Sequence, residues 1–229
     1  MKQFLSFITY FLYVLFSIQS HATELGEAYT ASYKITEQQG FQINTSLMRF
    51  TFSDDHIIRE LPQQNIIEHW VRRDNSRHVF YRHFPTHNSS IYYNRGDLRA
   101  LNLANDWQTV SQVIPHRWLD SLEKESSEDS EHGVISYYKG VIGDYQVSVG
   151  WLEAKQLPVK YTIRQQHQRL TMELTELDGY TKSLENLKEW DRYRKVDFSD
   201  AMDMERDGFV QYLIATGQLE TSETSLHTH

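Results

Sequence analysis

Four histidines, His69, His78, His83 and His87, fall within 19 residues, and three of them lie between Arg77 and His87. Imidazole is the commonest side-chain ligand for transition metals and changes its charge close to neutral pH, so these four are the candidate metal ligands of the chain. Their spacing restricts how they can act together. On a strand over Arg77 to Phe84, alternation puts His83 with Val79 and Tyr81 on one face, and His78 with Phe80, Arg82 and Phe84 on the other. His87 reaches His83 only if the chain folds back at Pro85, and His69 has to come from across a hairpin. Edge or surface histidines are therefore the plain reading, and a metal-binding accessory protein is the alternative. His227 and His229 at the C-terminus would take up metal adventitiously.

A second set of ligand types is acidic. Asp203, Glu205, Asp207 and Gly208 have the spacing that opens a calcium loop of the helix-loop-helix kind, but the twelfth position, which must supply a bidentate carboxylate, is Ile214. A helix start fits better, with Asp200 or Asp203 as its cap and Glu205 and Asp207 at its positive end. Nucleophilic chemistry has no frame at all: there is no Gly-x-Ser-x-Gly, Ser-x-x-Lys or His-Glu-x-x-His sequence, and no cysteine. Phosphate-binding glycine loops are missing too, since Gly140 and Gly143 read as turn residues around Val141-Ile142. The chain is expected to be a non-enzyme without a cofactor.

The elements that must position these residues are mostly strands. Aromatic residues make up 13% of the chain, and the runs between turn signals are short and rich in β-branched and aromatic types, which favours antiparallel sheet. Strands are expected over Ala28 to Glu37, Phe41 to Phe52, Asn65 to Arg73, Arg77 to Phe84 and Ile91 to Asn94. After the middle of the chain they resume over Val134 to Lys139, Tyr145 to Leu152, Pro158 to Arg164 and Arg169 to Leu177. Between the two blocks, Val110, Val113, Ile114, Trp118, Leu119 and Leu122 recur every three to four residues and predict an amphipathic helix. Glu123 to His132 reads as a solvated acidic loop. Leu184 to Tyr193 and Phe209 to Ile214 predict one or two helices packed on the sheet, and the chain from Thr216 reads as a disordered tail.

Met1 to Ala22 holds Lys2, an apolar run from Phe4 to Ile18, and Ser20-His21-Ala22, the layout of a secretory signal cleaved near Ala22. Export to the periplasm, with no membrane span after cleavage, is the expected address. Losing Lys2 leaves 22 basic against 31 acidic side chains, a formal charge of −9, which argues against nucleic acid as a partner. Without cysteine the chain must stand on its core rather than on disulfides, and its length allows one substantial core. The expected organisation is a signal peptide over 1–22, an antiparallel β-rich domain over 23–182, a helical extension over 183–215 and a tail over 216–229.

A large antiparallel sheet that is incompletely covered can curve and hold an apolar ligand on its concave face, though Trp70, Phe80, Tyr92 and Trp151 would also suit an ordinary core. The order of elements, with a central helical insertion and Trp151 shortly before Leu157-Pro158, resembles the periplasmic lipoprotein carrier and receptor family (LolA/LolB-like) over roughly Gly26 to Leu177. That resemblance implies an α+β, mostly β fold: a curved antiparallel sheet forming an open half-barrel, with a central helical insertion and C-terminal helices. It implies no functional residue. The expected role is binding or accessory work in the cell envelope, with an apolar or lipid-like ligand or an envelope protein as partner. A protein-partner module using the acidic C-terminal segment is a further alternative.

Overall fold

The computed structural model describes residues 28–219 except 75, 76, 102, 104, 105, 180 and 181; the expected signal peptide lies outside them. The elements run β1 (Tyr29–Gln39), β2 (Gln42–Phe52), β3 (His56–Leu61), β4 (Ile66–Asp74), β5 (Arg77–Phe84), β6 (Ser89–Tyr93), α1 (Arg95–Ala100), α2 (Trp107–Val110) and a 3₁₀ turn (His116–Ser121). Then come β7 (Glu123–Ser130), β8 (Gly133–Ile142), β9 (Tyr145–Leu152), β10 (Leu157–Gln165), β11 (Gln168–Asp178), α3 (Lys182–Glu185), α4 (Leu187–Trp190), β12 (Arg194–Asp197), α5 (Phe198–Ala201) and α6 (Gly208–Ala215).

All twelve strands join one sheet in the order β12-β6-β5-β4-β3-β2-β1-β11-β10-β9-β8-β7. Each strand block forms its own meander, and β1 pairs with β11 to join the two. The pairings are antiparallel except β12 with β6, and the sheet does not close, so the fold is the expected open half-barrel. Alternation explains its two faces. In β1, Tyr29, Ala31, Tyr33 and Ile35 are buried while the residues between them are half-buried or exposed, and the same period runs through Val147, Val149 and Trp151 of β9. Register shifts at Ser32/Tyr33, Arg72/Asp74, Lys124/Ser126 and Pro158/Lys160 supply the bends and extra twist that a curving sheet needs.

The concave face carries the main core, in which Tyr33, Phe50, Trp70, Phe80 and Tyr161 meet Leu98, Val110, Ile114 and Leu122 from the insertion between β6 and β7. The insertion departs from the expected single helix. Its apolar spacing is real, but Pro115 lacks a backbone N–H and disfavours helix in the residue before it, so the segment divides into the one turn of α2 and the 3₁₀ turn that Pro115 caps. The acidic run over Glu123 to Ser130 is also not a loop. It forms the edge strand β7, with all eight residues exposed, because β8 offers a free ladder and no side chain has to be buried for pairing.

Beyond β11 the chain wraps the opposite end of the sheet. The segment 182–193 crosses the convex face, where Trp190 and Tyr193 form a second cluster with Ile58, Ile67, Leu184 and Leu187. It then lays β12 beside β6 and returns on the concave side, with Phe209, Val210 and Leu213 of α6 buried in the main core. Asp207 caps α6, accepting from the N–H groups of Phe209 and Val210, rather than the expected Asp200 or Asp203. Leu219 is buried and Gln218 binds Arg82, so of the segment expected as a tail the last two described residues are held against the fold, while Thr216 and Gly217 are exposed.

Candidate functional site

Two places combine geometry with chemistry. The first is the trough on the concave face. Its middle is filled by the insertion, which Arg59 of β3 ties down: the guanidinium donates to the carbonyls of Val110 and Gln112 at 3.3 and 3.4 Å and lies over the Trp70 ring at 4.9 Å. Burial lowers the Arg59 pKa, with Glu68 opposing. Toward the tips of the β1–β2 and β10–β11 hairpins the trough is open. A cavity of about 300 Å³ remains there, lined among others by Gln39, Gln42, Asn44, Tyr145, Ile163 and Leu170. Amides form much of its rim and Tyr145, Ile163 and Leu170 give it apolar wall. Phe41 and Ile43 stand exposed on the neighbouring hairpin tip. Deeper in the same face, the hydroxyls of Tyr33 and Tyr161 and the indole nitrogen of Trp70 have no hydrogen-bond partner among the described residues. Burial pushes both tyrosine pKa values up.

The second place is on the convex face, under the C-terminal segment. Cross-strand register sets Ile58 opposite His69 and His69 opposite Tyr81, and it sets His83 opposite Ser90. Three imidazoles join in a line: His56 Nδ1 is 2.9 Å from His69 Nε2, His69 Nδ1 is 3.1 Å from His83 Nε2, and His83 Nδ1 is 2.7 Å from Ser90 Oγ. A neutral imidazole has one donor and one acceptor, so three neutral rings can satisfy every link only if all carry their protons on Nδ1 or all on Nε2. Trp190 closes the site, with its ring 5.1 Å from that of His83 and 5.7 Å from that of His69. Burial, reinforced by the neighbouring His83, His56, Arg73 and Lys195, lowers His69 to a pKa of about 2. Burial and Lys195 lower His83 to about 3, with Asp191 opposing.

Of the four histidines singled out by spacing, the structure brings together His69 and His83. His78 lies on the concave side near Trp107, as alternation requires, and His87 packs against Tyr212 and Phe209 of α6. His69 spends its two nitrogens on two different rings, which leaves no common point for an ion. Among the described residues no group of three or more His, Asp or Glu side chains is arranged to hold a metal. His56 is the member that the sequence reading missed. Counting the β3–β4 hairpin back from Ile66 sets His56 opposite Val71, within reach of His69, so a register would have found it where spacing along the chain could not. In the acidic segment, Asp197 caps α5 and Asp207 pairs with Arg194 at 2.7 Å besides capping α6.

No family model and no curated protein sequence matches the chain. Solved structures do. A LolA superfamily protein from Nitrosomonas europaea is similar at 5% identity over 70% of this chain and 89% of that one, with a TM-score of 0.33. An outer-membrane lipoprotein-sorting protein domain from Vibrio parahaemolyticus is similar at 8% identity over 72% and 91%, with a TM-score of 0.34. PNGF-II is similar at 10% identity with a TM-score of 0.47; the match covers 79% of this chain but 34% of PNGF-II, so the chain spans about a third of that protein.

Proposed function

We propose that the chain is an exported, non-enzymatic binding protein of the bacterial cell envelope, working in the periplasm, that takes an apolar, lipid-like ligand into the open end of its half-barrel. The cavity beside Tyr145, Ile163 and Leu170 carries this reading. Binding sites of this kind are concave, with apolar wall and polar groups that orient the ligand; here Glu37, Arg169 and the amides of Gln39, Gln42 and Asn44 would meet a polar head while the chain lies on Tyr145, Ile163 and Leu170. Phe41, fully exposed in the turn between β1 and β2, offers a first apolar contact at the entrance. The signal-like N-terminus is the support for export, and no helix among the described residues is long and apolar enough to cross a membrane.

The test uses native mass spectrometry on the protein mixed with a long-chain fatty acid or a diacyl phospholipid, alongside Ile163→Trp and Leu170→Trp. Both sites are half-buried, so an indole can fill the cavity with limited strain on the core. The expected result is one bound lipid on the wild type and at least a tenfold weaker complex for either variant, with circular dichroism unchanged. A wild type that takes up neither lipid, or variants that bind as well as it does, would overturn the proposal.

A further inference from the structure

We propose that the imidazole chain of His56, His69 and His83 is an acid-sensitive latch that holds residues 182–193 on the convex face of the sheet. Each ring-to-ring link needs one N–H and no more, and the two outer nitrogens, on His56 toward solvent and on His83 toward Ser90, can each carry one further proton. Four N–H groups is therefore the largest number that leaves both links intact. Three neutral rings hold three, so the chain accepts one extra proton without losing a hydrogen bond. A second extra proton sets N–H against N–H across a link, between rings whose centroids are 5.1 and 5.4 Å apart, and adds the repulsion of two neighbouring cations.

The charged surroundings do not relieve that conflict. Asp55 faces His56, and Asp191 faces His56 and His83, both favouring the charged rings. Arg73 opposes at His56 and His69, and Lys195 opposes at His69 and His83. Asp191 is largely exposed and is shared with Lys195 at 3.5 Å. Tyr81 stacks on His83, and Tyr193 meets it edge-on and donates to Glu189. Trp190 covers the His69–His83 link, the more deeply buried of the two.

The stretch 182–193 that carries Trp190 has two helices of four residues each, too short to be stable alone; Ser183 bonded to Thr51 and Glu60, and Leu184 and Leu187 on Ile58 and Ile67, hold it to the sheet, while β12 beyond it stays on β6 through its ladder, the buried Val196 and the Arg194–Asp207 pair. The sign follows from burial. Closed, His69 and His83 titrate below their free value, so the stability they lend to the closed form is complete above about pH 6.5 and is lost as pH falls toward 3. Opening takes up two more protons than the closed form holds, and its equilibrium constant then rises about 100-fold per pH unit.

Hydrogen exchange read by mass spectrometry on the full chain from pH 7.5 to 4.5, corrected for the intrinsic pH dependence of exchange, measures this directly. Amides of 182–193 are expected to keep level protection above about pH 6.5 and, below about pH 5.5, to lose it at a rate approaching 100-fold per unit, while β1, β2 and β11 stay protected. His69→Gln keeps one donor and one acceptor without titrating, and its steepness should fall to about tenfold. Ser90→Ala removes the last acceptor of the extra-proton arrangement, so opening should begin at a higher pH; it keeps the test alive if His69→Gln does not fold. Loss of protection in the segment and the sheet at one common pH, wild-type steepness in His69→Gln, or an unshifted onset in Ser90→Ala would each overturn the latch.

Discussion

Arg59 illustrates how one residue can carry two elements. Its guanidinium bonds two carbonyls of the insertion and covers the rings of Trp70 and Phe50, so replacing it removes hydrogen bonds and ring contacts together. Arg59→Met keeps the apolar stem but leaves Val110 and Gln112 without their donor. A loss of about 2 kcal/mol in urea unfolding is expected; a loss below about 0.5 kcal/mol would show that the insertion holds without it. Single residues were the least legible part of the sequence. Alternation alone separated His78 from His83 correctly, because period 2 along one strand is a local property. The partnership of His69 with His56 was invisible, because it depends on the register of β3 against β4 and no pattern within one strand encodes a register.

At the scale of elements, α1 shows a local signal and a tertiary one acting together. Asn94 accepts from the N–H groups of Gly96 and Asp97, and Asp97 returns a bond to the Asn94 N–H, a reciprocal cap that places Leu98 in the main core. Asn94→Ala should cost about 1 kcal/mol by urea unfolding, whereas Asn94→Ser, which can still cap, should cost much less. Strands with one wet face were legible from composition, as β1 and β9 show. Two elements were not. β7 has no apolar residue to reveal it, and its pairing comes entirely from the backbone of β8. β12 is four residues long with Val196 as its one buried side chain, and it forms because α4 delivers the chain to the free edge of β6.

For the whole molecule, the closing contact is made by the last described residues. Arg82 is buried, and Gln218 satisfies it twice, through its carbonyl and its side-chain oxygen, both at 2.8 Å. Ending the chain after Gly217 strands a buried cation and removes Leu219 from the core. The expected loss is about 3 kcal/mol or more in thermal or urea unfolding, and Gln218→Ala, which keeps the carbonyl, should lose about a third of that. Equal stability of the truncated and full chains would show that the C-terminal return does not secure the fold. The open half-barrel was legible as a class from its strand blocks and central insertion; the wrap of the C-terminal segment around both faces was not, since it follows from where β11 ends on the sheet.

An unclosed sheet carries a hazard that a barrel avoids: each free edge is a template on which another copy could polymerise. Here one edge is the four-residue β12. The other is β7, kinked at Lys124/Ser126 and carrying Glu123, Glu125, Glu128 and Asp129 into solvent. Two copies meeting along β7 would set carboxylates against carboxylates at ladder spacing, where like charges repel. The run that looked like an idle acidic loop is thus a gatekeeper, a charged edge that lets the sheet stay open without growing into a fibril.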